Sequence, residues 1–220
     1  MKKVLVSIFS LILVLSLSQS AAGQASSNSL NDQLIQAAQN GDTATVQQLL
    51  YRGANIEAKF LGSTALIWAA EMGKTDVVRL LLEKGANIEG RSDYIGNTAL
   101  IWAAEMGKSD VVRLLLEKGA NIEAKDGAGS TALIWAASKG ETEIVKLLLA
   151  KGADIEAKDN GGGTALIEAA QWGKTEAVRL LLEKGANIDA RDNDGDTALT
   201  LATKNGRTDV VNLLRARGAH

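Results

Sequence analysis

The sequence is dominated by one 26-residue segment that occurs twice almost unchanged. Residues 98–123 read TALIWAAEMGKSDVVRLLLEKGANIE, and residues 64–89 differ from them only in having Thr75 where the later copy has Ser109. Three weaker copies follow at intervals of 33 residues, beginning at Thr131, Thr164 and Thr197. A fixed period of this length, in which no single copy can bury its own apolar side, predicts a solenoid of stacked units.

Each copy contains two short segments whose apolar residues have helical spacing. In the first, Thr98 is placed to cap the backbone donors at the start of a helix, and Gly107 can adopt the left-handed conformation that ends it. In the second, we expect Ser109 to be the cap, with Asp110 in the first turn, where the helix dipole favours an anion. Gly119 then ends this helix. The sequence therefore predicts two helices in each copy, followed by a turn rich in glycine and aspartate.

These copies resemble the ankyrin repeat, a unit of about 33 residues that consists of a β-turn and two helices and begins with T-P-L-H-x-A. Here that beginning reads Thr-Ala-Leu-Ile-Trp-Ala, with alanine in place of proline and isoleucine in place of histidine. The family's Leu-Leu-x-x-Gly-Ala ending occurs five times and once more with Arg215 in place of the second leucine, and its Asp-x-x-Gly-x-Thr turn occurs at residues 126–131, 159–164 and 192–197. The resemblance implies an all-α solenoid of helix-turn-helix units joined by β-hairpin loops.

The resemblance covers residues 30–220. It divides them into six repeats with approximate bounds 30–59, 60–91, 92–125, 126–158, 159–191 and 192–220. The first and last repeats have polar residues where the inner repeats have apolar ones, since Gln48 stands where the second repeat has Leu80, and Arg215 where it has Leu82. Terminal units of a solenoid need polar outer faces, so we expect both ends to act as caps.

The first 22 residues have the pattern of a secretory signal peptide. Two lysines precede an apolar run from Val4 to Leu17, and small residues that suit a signal peptidase follow it. As a helix the run would rise only about 21 Å, short of the roughly 30 Å hydrocarbon core, which favours a cleaved leader over a permanent membrane anchor. Residues 23–29 are expected to form a polar linker. We expect an exported bacterial protein, periplasmic or secreted, without disulfides because the chain has no cysteine.

Composition argues against several classes of function. The formal net charge of −2 and the lack of a basic amphipathic face disfavour binding to nucleic acid and, after removal of the leader, to a membrane. His220 is the only histidine and cysteine is absent, which removes the usual nucleophile–base pairs and zinc ligands. Gly-Lys-Thr or Gly-Lys-Ser occurs three times without the earlier glycine of a phosphate-binding loop, and residues 192–196 lack the continuation of a calcium loop. We expect no cofactor and no metal.

After the leader, all aromatic residues except Tyr51 lie on predicted first helices or hairpins. In the ankyrin family the first helices and hairpin tips line the concave face that binds partner proteins. The resemblance therefore implies an apolar groove here. Our candidate partner-binding residues are Phe60, Leu61, Trp68, Met72, Tyr94, Ile95, Trp102, Met106, Trp135, Lys139 and Trp172.

Packing competes with partner binding as the role of some of these side chains. Wedging between adjacent first helices is an equally good interpretation for Trp68, Trp102 and Trp135. Packing explains the hairpin residues less well, because Phe60-Leu61 and Tyr94-Ile95 occupy turns in which later repeats have glycine, alanine, asparagine or aspartate. The period also slips by one residue at each of these two hairpins. We therefore expect both to differ in shape from the rest.

The predicted function is that of a monomeric, non-enzymatic module that binds another protein through a groove centred on the second and third repeats. Two alternatives stay open. The groove carboxylates Glu105 and Glu168 could serve a hydrolase, in which case the pKa of one of them should be raised. The apolar edge could instead mediate self-association.

Overall fold

The structure, a computed structural model, describes residues 29–219. The predicted signal peptide (1–22), all but the last residue of the predicted linker (23–29), and His220 lie outside the described residues. Within the described range no helix is long and apolar enough to cross a membrane. Twelve helices form six consecutive pairs there: α1 (Leu30–Asn40) and α2 (Thr43–Tyr51), α3 (Ala65–Glu71) and α4 (Thr75–Glu83), α5 (Ala99–Glu105) and α6 (Ser109–Glu117), α7 (Ala132–Lys139) and α8 (Thr142–Ala150), α9 (Ala165–Gln171) and α10 (Thr175–Glu183), α11 (Ala198–Lys204) and α12 (Thr208–Ala216).

The first helix of each of the five later pairs is capped by the predicted threonine. In the third pair the hydroxyl of Thr98 accepts a hydrogen bond from the backbone of Ile101 at 3.4 Å. Thr64, Thr131, Thr164 and Thr197 are also N-caps. The prediction of threonine caps is therefore confirmed.

The prediction that Ser109 caps the second helix is wrong. The N-cap of α6 is Lys108, which makes no side-chain capping bond, and Ser109 is already the first helical residue. Gly107 adopts a φ of +72°, so the chain reverses within two residues and enters the helix earlier than expected. A side chain at the first helical position no longer points back at the free N–H groups.

The Gly-Lys pairs at the turn between the two helices have a packing role. If Gly73 carried a Cβ atom, it would lie 3.0 Å from Cδ of Lys108 in the next repeat. The aliphatic part of the lysine therefore lies across the glycine of the preceding repeat. The same contact joins Gly41 to Lys74 and Gly140 to Lys174.

The segments between helix pairs are turns with little regular strand. β1 (Lys59–Phe60) pairs with antiparallel β2 (Ser63–Thr64) around a two-residue turn. The hairpin of the third repeat is longer, because the N–H of Ser92 bonds to the carbonyl of Asn97, whereas in the fourth repeat Asp126 bonds to Ser130. The slips in the period thus mark two hairpins of different shape, as predicted.

Stacking of neighbouring repeats builds one continuous core. Each first helix packs against the first helix of the next pair, and each second helix does the same. The side chains that fill the space between the layers are fully buried leucines and isoleucines, such as Leu81, Leu115 and Leu148.

Side chains on the loop before each hairpin also join neighbouring repeats. Oε1 of Glu123 accepts a hydrogen bond from the backbone N–H of Asp154, one repeat later, at 2.8 Å. Glutamates at 57, 89 and 156 make the equivalent bond to residues 87, 121 and 187. Adjacent hairpin tips are joined by backbone bonds as well, for example from the N–H of Asp93 to the carbonyl of Gly62 at 2.9 Å.

Candidate functional site

The first helices and the hairpins form one side of the solenoid, which we call the inner face. Three of the predicted binding residues are exposed there, namely Phe60 (37%), Leu61 (42%) and Tyr94 (80%). Tyr51, at 95%, is the other strongly exposed aromatic residue of the described part, and it lies on α2, away from the inner face.

Six further predicted residues are half-buried. Met72 and Met106 follow the last residues of α3 and α5 as C-caps, so their side chains lie at the far end of the inner face from the hairpins. The six half-buried residues are Met72, Ile95, Met106, Trp135, Lys139 and Trp172.

Trp68 and Trp102 are only 7% and 8% exposed, which supports the packing interpretation for these two. Trp68 also orients the hairpin above it, because its indole N–H donates to the carbonyl of Phe60 at 3.2 Å. Trp135 does the same through Asp126, whose Oδ2 lies 2.9 Å from its indole nitrogen. These two indoles thus hold the hairpins in place from below.

The third repeat lacks this support. Ser92 stands where the fourth repeat has Asp126, and its hydroxyl accepts only the backbone N–H of Asn97, at 3.1 Å. Within the described residues, the indole N–H of Trp102 and both polar atoms of the buried Asn97 amide make no hydrogen bond. Each such buried group costs roughly 1–3 kcal/mol. The sequence analysis did not detect these unpaired groups, although the presence of serine at position 92, where the fourth repeat has aspartate, could have indicated them.

Leu61 has an unfavourable backbone conformation. Its φ is +49°, and it is the sole non-glycine residue with positive φ among residues 29–219. With Gly62 at +77° it forms a two-residue hairpin turn with positive φ at both positions, which favours Asn-Gly or Asp-Gly. Left-handed backbone with an ordinary side chain costs roughly 1–2 kcal/mol.

The second and third hairpins share one apolar surface. The ring of Tyr94 lies against Gly62, where a Cβ atom would be only 2.9 Å from Cε2 of the tyrosine. We call the surface formed by Phe60, Leu61, Tyr94 and Ile95 the tip patch. In the later repeats the same positions hold small or polar residues, so the patch ends after the third hairpin.

The charged groups beside the tip patch already have partners. Nζ of Lys59 binds the carboxylate of Asp93 and, at 3.0 Å, the carbonyl of Arg91. The guanidinium of Arg91 donates to the carbonyls of Gly96, at 2.9 Å, and Lys125. The patch therefore presents apolar side chains beside charged groups that are engaged in an ion pair or in hydrogen bonds.

Glu105 and Lys139 lie deeper on the inner face. Oε1 of Glu105 is 3.1 Å from Nζ of Lys139, and the ammonium also lies 5.5 Å from the ring centre of Trp135. Burial raises the pKa of Glu105, while Lys139 opposes the rise and Asp126 adds to it. Glu168 is buried too, on α9. Residues 192–196 form the last hairpin turn, in which Oδ1 of Asp192 accepts the N–H of Asp196 at 2.8 Å.

Six stacked helix pairs with hydrogen-bonded hairpins between them agree with the family comparison. The family model described as "Ankyrin repeats (3 copies)" matches residues 34–126 and again residues 133–220. The chain belongs to the ankyrin repeat family. Ankyrin repeats are generally protein–protein interaction modules, and the family is typically non-enzymatic. A comparison of the sequence with curated proteins finds no match.

Within the ankyrin repeats, the second and third carry the unusual features. They combine the exposed tip patch, the left-handed Leu61, and the buried polar atoms of Asn97 and Trp102 that have no partner in the described part of the chain. The fourth hairpin has ordinary turn residues and a bonded tryptophan.

Proposed function

We propose that this ankyrin repeat protein binds a partner protein through its inner face, and that the tip patch makes the main contact. The observation that carries the proposal is the exposed leucine at position 61, in a turn where leucine is conformationally unfavourable. Strain of this kind persists where surrounding structure holds it, and it concentrates at functional sites. Asparagine would give the same turn without strain and without an apolar surface.

The size of the tip patch fits the centre of an interface. An aromatic side chain carries about 150–250 Å² of surface, so Phe60, Leu61 and Tyr94 together expose on the order of 300 Å². That is at the lower end of the range for the largest apolar patch of a typical monomer. A standard interface needs about 800 Å² per partner, so the half-buried residues along α3 and α5 would supply the rest.

The hydrolase alternative has less support. The raised pKa of Glu105 is the sign that a carboxylate-dependent hydrolase would need, but its carboxylate is held by Lys139 at 3.1 Å and its side chain is 5% exposed. It has little access to a substrate bond.

We further propose export to the periplasm or medium, on the basis of residues 1–22, and intact-mass analysis of the purified protein would test cleavage of the leader.

The experiment compares two variants of the exported protein. Leu61→Asn with Tyr94→Ser removes most of the tip patch, and Tyr51→Ser removes an equally exposed aromatic residue outside the inner face. Each is cross-linked in an envelope extract, and captured proteins are identified by mass spectrometry. We expect the double variant to lose, by tenfold or more, partners that the Tyr51 variant retains. Equal capture by both would disprove the role of the tip patch, and concentration-dependent light scattering would favour self-association.

A further inference from the structure

The turns between first and second helices carry a row of charged residues, four of them cations, along the edge of the inner face opposite the hairpins. In the second to sixth repeats the N-cap residues of the second helices are Lys74, Lys108, Glu141, Lys174 and Arg207, and none makes a side-chain capping bond. We call this row the turn rim. Because each residue precedes a nine-residue helix, the positive end of a helix dipole lies beside it.

Three cations of the turn rim differ from the other cations near the inner face. The ammonium groups of Lys74, Lys108 and Lys174 make no hydrogen bond or ion pair within residues 29–219, although their stems are held by the glycines of the preceding repeats. By contrast, Lys139 is paired with Glu105, and Arg207 donates to the carbonyl of Gln171 at 3.0 Å. The three lysines are thus positioned but not neutralised.

Two of these lysines belong to the repeats that carry the tip patch. The second and third repeats have Phe60-Leu61 and Tyr94-Ile95 at one edge, and at the other edge Lys74 and Lys108 beside Met72 and Met106. In the fourth repeat the hairpin has Gly127 and Ala128, and the rim has the opposite charge, Glu141. The second and third repeats are therefore the repeats in which exposed apolar hairpins and unpaired rim lysines occur together.

The dimensions of this two-repeat surface match one helix. The seven residues of α3, which separate the hairpin from the rim, span about 10 Å, and a helix with its side chains is about 10–12 Å wide. Neighbouring first helices lie roughly 8–10 Å apart, which is close to the rise of about 10.5 Å between residues i and i+7 of a helix. Two acidic residues at that spacing could therefore face Lys74 and Lys108 at the same time.

We propose that the partner presents an amphipathic acidic helix, which lies across the second and third repeats. Its apolar side contacts the tip patch and the two methionines, and acidic residues at i and i+7 pair with Lys74 and Lys108. The proposal rests on the proposed function and adds the chemistry of the partner. Charge complementarity supports it, because Lys59 and Asp93 beside the tip patch pair with each other, whereas the ammonium groups of Lys74 and Lys108 have no partner within residues 29–219.

The experiment uses two synthetic helical peptides and the full mature chain. Both peptides have leucines along one side, and one has glutamate and the other lysine at two flanking positions seven residues apart. Fluorescence anisotropy measures their affinity at low and at physiological salt. We expect the glutamate peptide to bind at least tenfold more tightly, with a preference that shrinks as salt screens the contact.

Variants locate the contact. Lys74→Gln with Lys108→Gln should remove the preference for the glutamate peptide. Lys174→Gln, which changes an equally unpaired rim lysine outside the two repeats, should leave it intact. If both peptides bind equally, or if Lys174→Gln has the same effect as the double variant, the acidic helix is disproved while tip-patch binding stands. If neither peptide binds, the helical partner is disproved, and the proposed function is then judged by the capture experiment alone.

Discussion

Glu105 on α5 and Lys139 on α7 form an ion pair between the third and fourth repeats, with Oε1 3.1 Å from Nζ. The glutamate side chain is 5% exposed, so a charge left there without its partner is poorly solvated. We expect Lys139→Met to lower the free energy of unfolding by about 2 kcal/mol at neutral pH, less than for a fully buried pair because the lysine is partly exposed. Urea denaturation would measure the change. Lys146→Met, at an exposed position on α8, is the control, and equal effects of the two variants would contradict a role for the pair.

The same pair predicts a dependence of stability on pH. Burial raises the pKa of Glu105 above its ordinary value of 4.5, and Lys139 counteracts the rise. A carboxyl group with a raised pKa in the folded state destabilises the fold when it is ionised, and this effect disappears as the pH falls from the folded pKa towards 4.5. Lys139→Met raises the pKa of Glu105 further, so the loss of stability that this substitution causes should shrink as the pH is lowered through that range. Adding Glu105→Gln should abolish the dependence. A loss that is independent of pH would refute this explanation.

The indole N–H of Trp102 can be given an acceptor by one substitution. Ser92 occupies the place of Asp126, which accepts the indole N–H of Trp135 at 2.9 Å. We expect Ser92→Asp to raise the free energy of unfolding by about 1 kcal/mol, because a buried donor gains a charged acceptor. The reverse substitution, Asp126→Ser, should lower it by a similar amount. Denaturation followed by tryptophan fluorescence would measure both, and a destabilising Ser92→Asp would show that the longer hairpin keeps the carboxylate out of reach.

The local features of the fold could be predicted from the sequence. The threonine caps and the glycine turns depend on residues a few positions apart, and the repeat period places the helices. The prediction for Ser109 was wrong because Gly107 and Lys108 complete the turn one residue earlier than a capping serine requires. Such an error concerns one residue and does not affect the fold.

The environments of the candidate residues could not be read from the repeat. Trp102 and Trp135 lie in identical Leu-Ile-Trp-Ala-Ala segments, yet only Trp102 is buried and only Trp135 has a bonded indole N–H. The difference comes from the hairpins, where Asp126 replaces Ser92, and from the next repeat, where Trp135 follows Trp102 but Glu168 follows Trp135. Contacts between repeats decide these environments, and a motif within one repeat does not encode them.

The bonds between loops and neighbouring repeats were also missed, and they predict that two glutamates of one repeat differ in their effect on stability. Glu123 accepts the backbone N–H of Asp154 at 2.8 Å, whereas Glu117, an exposed residue at the end of α6, makes no side-chain hydrogen bond or ion pair within residues 29–219. We expect Glu123→Ala to lower the free energy of unfolding by about 1 kcal/mol. Glu117→Ala should change it by less than about 0.5 kcal/mol, as for an ordinary surface residue. Urea denaturation of both would decide, and equal values would mean that the bond between repeats adds no stability.

The conformation of Leu61 predicts that stability and binding respond in opposite directions to one substitution. At a φ of +49°, leucine pays a steric penalty that asparagine largely avoids, so Leu61→Asn should raise the free energy of unfolding by about 0.5–1 kcal/mol. The same change removes an apolar side chain from the tip patch and should weaken partner binding. Leu61→Ala is the matched control, because it also removes apolar surface but keeps a Cβ atom in the left-handed conformation. Urea denaturation should therefore rank Asn above Ala, while both bind less well than the natural protein. If the Asn and Ala variants had equal free energies of unfolding, the backbone at position 61 would not be strained. The observation that assigns Leu61 a binding role would then be lost.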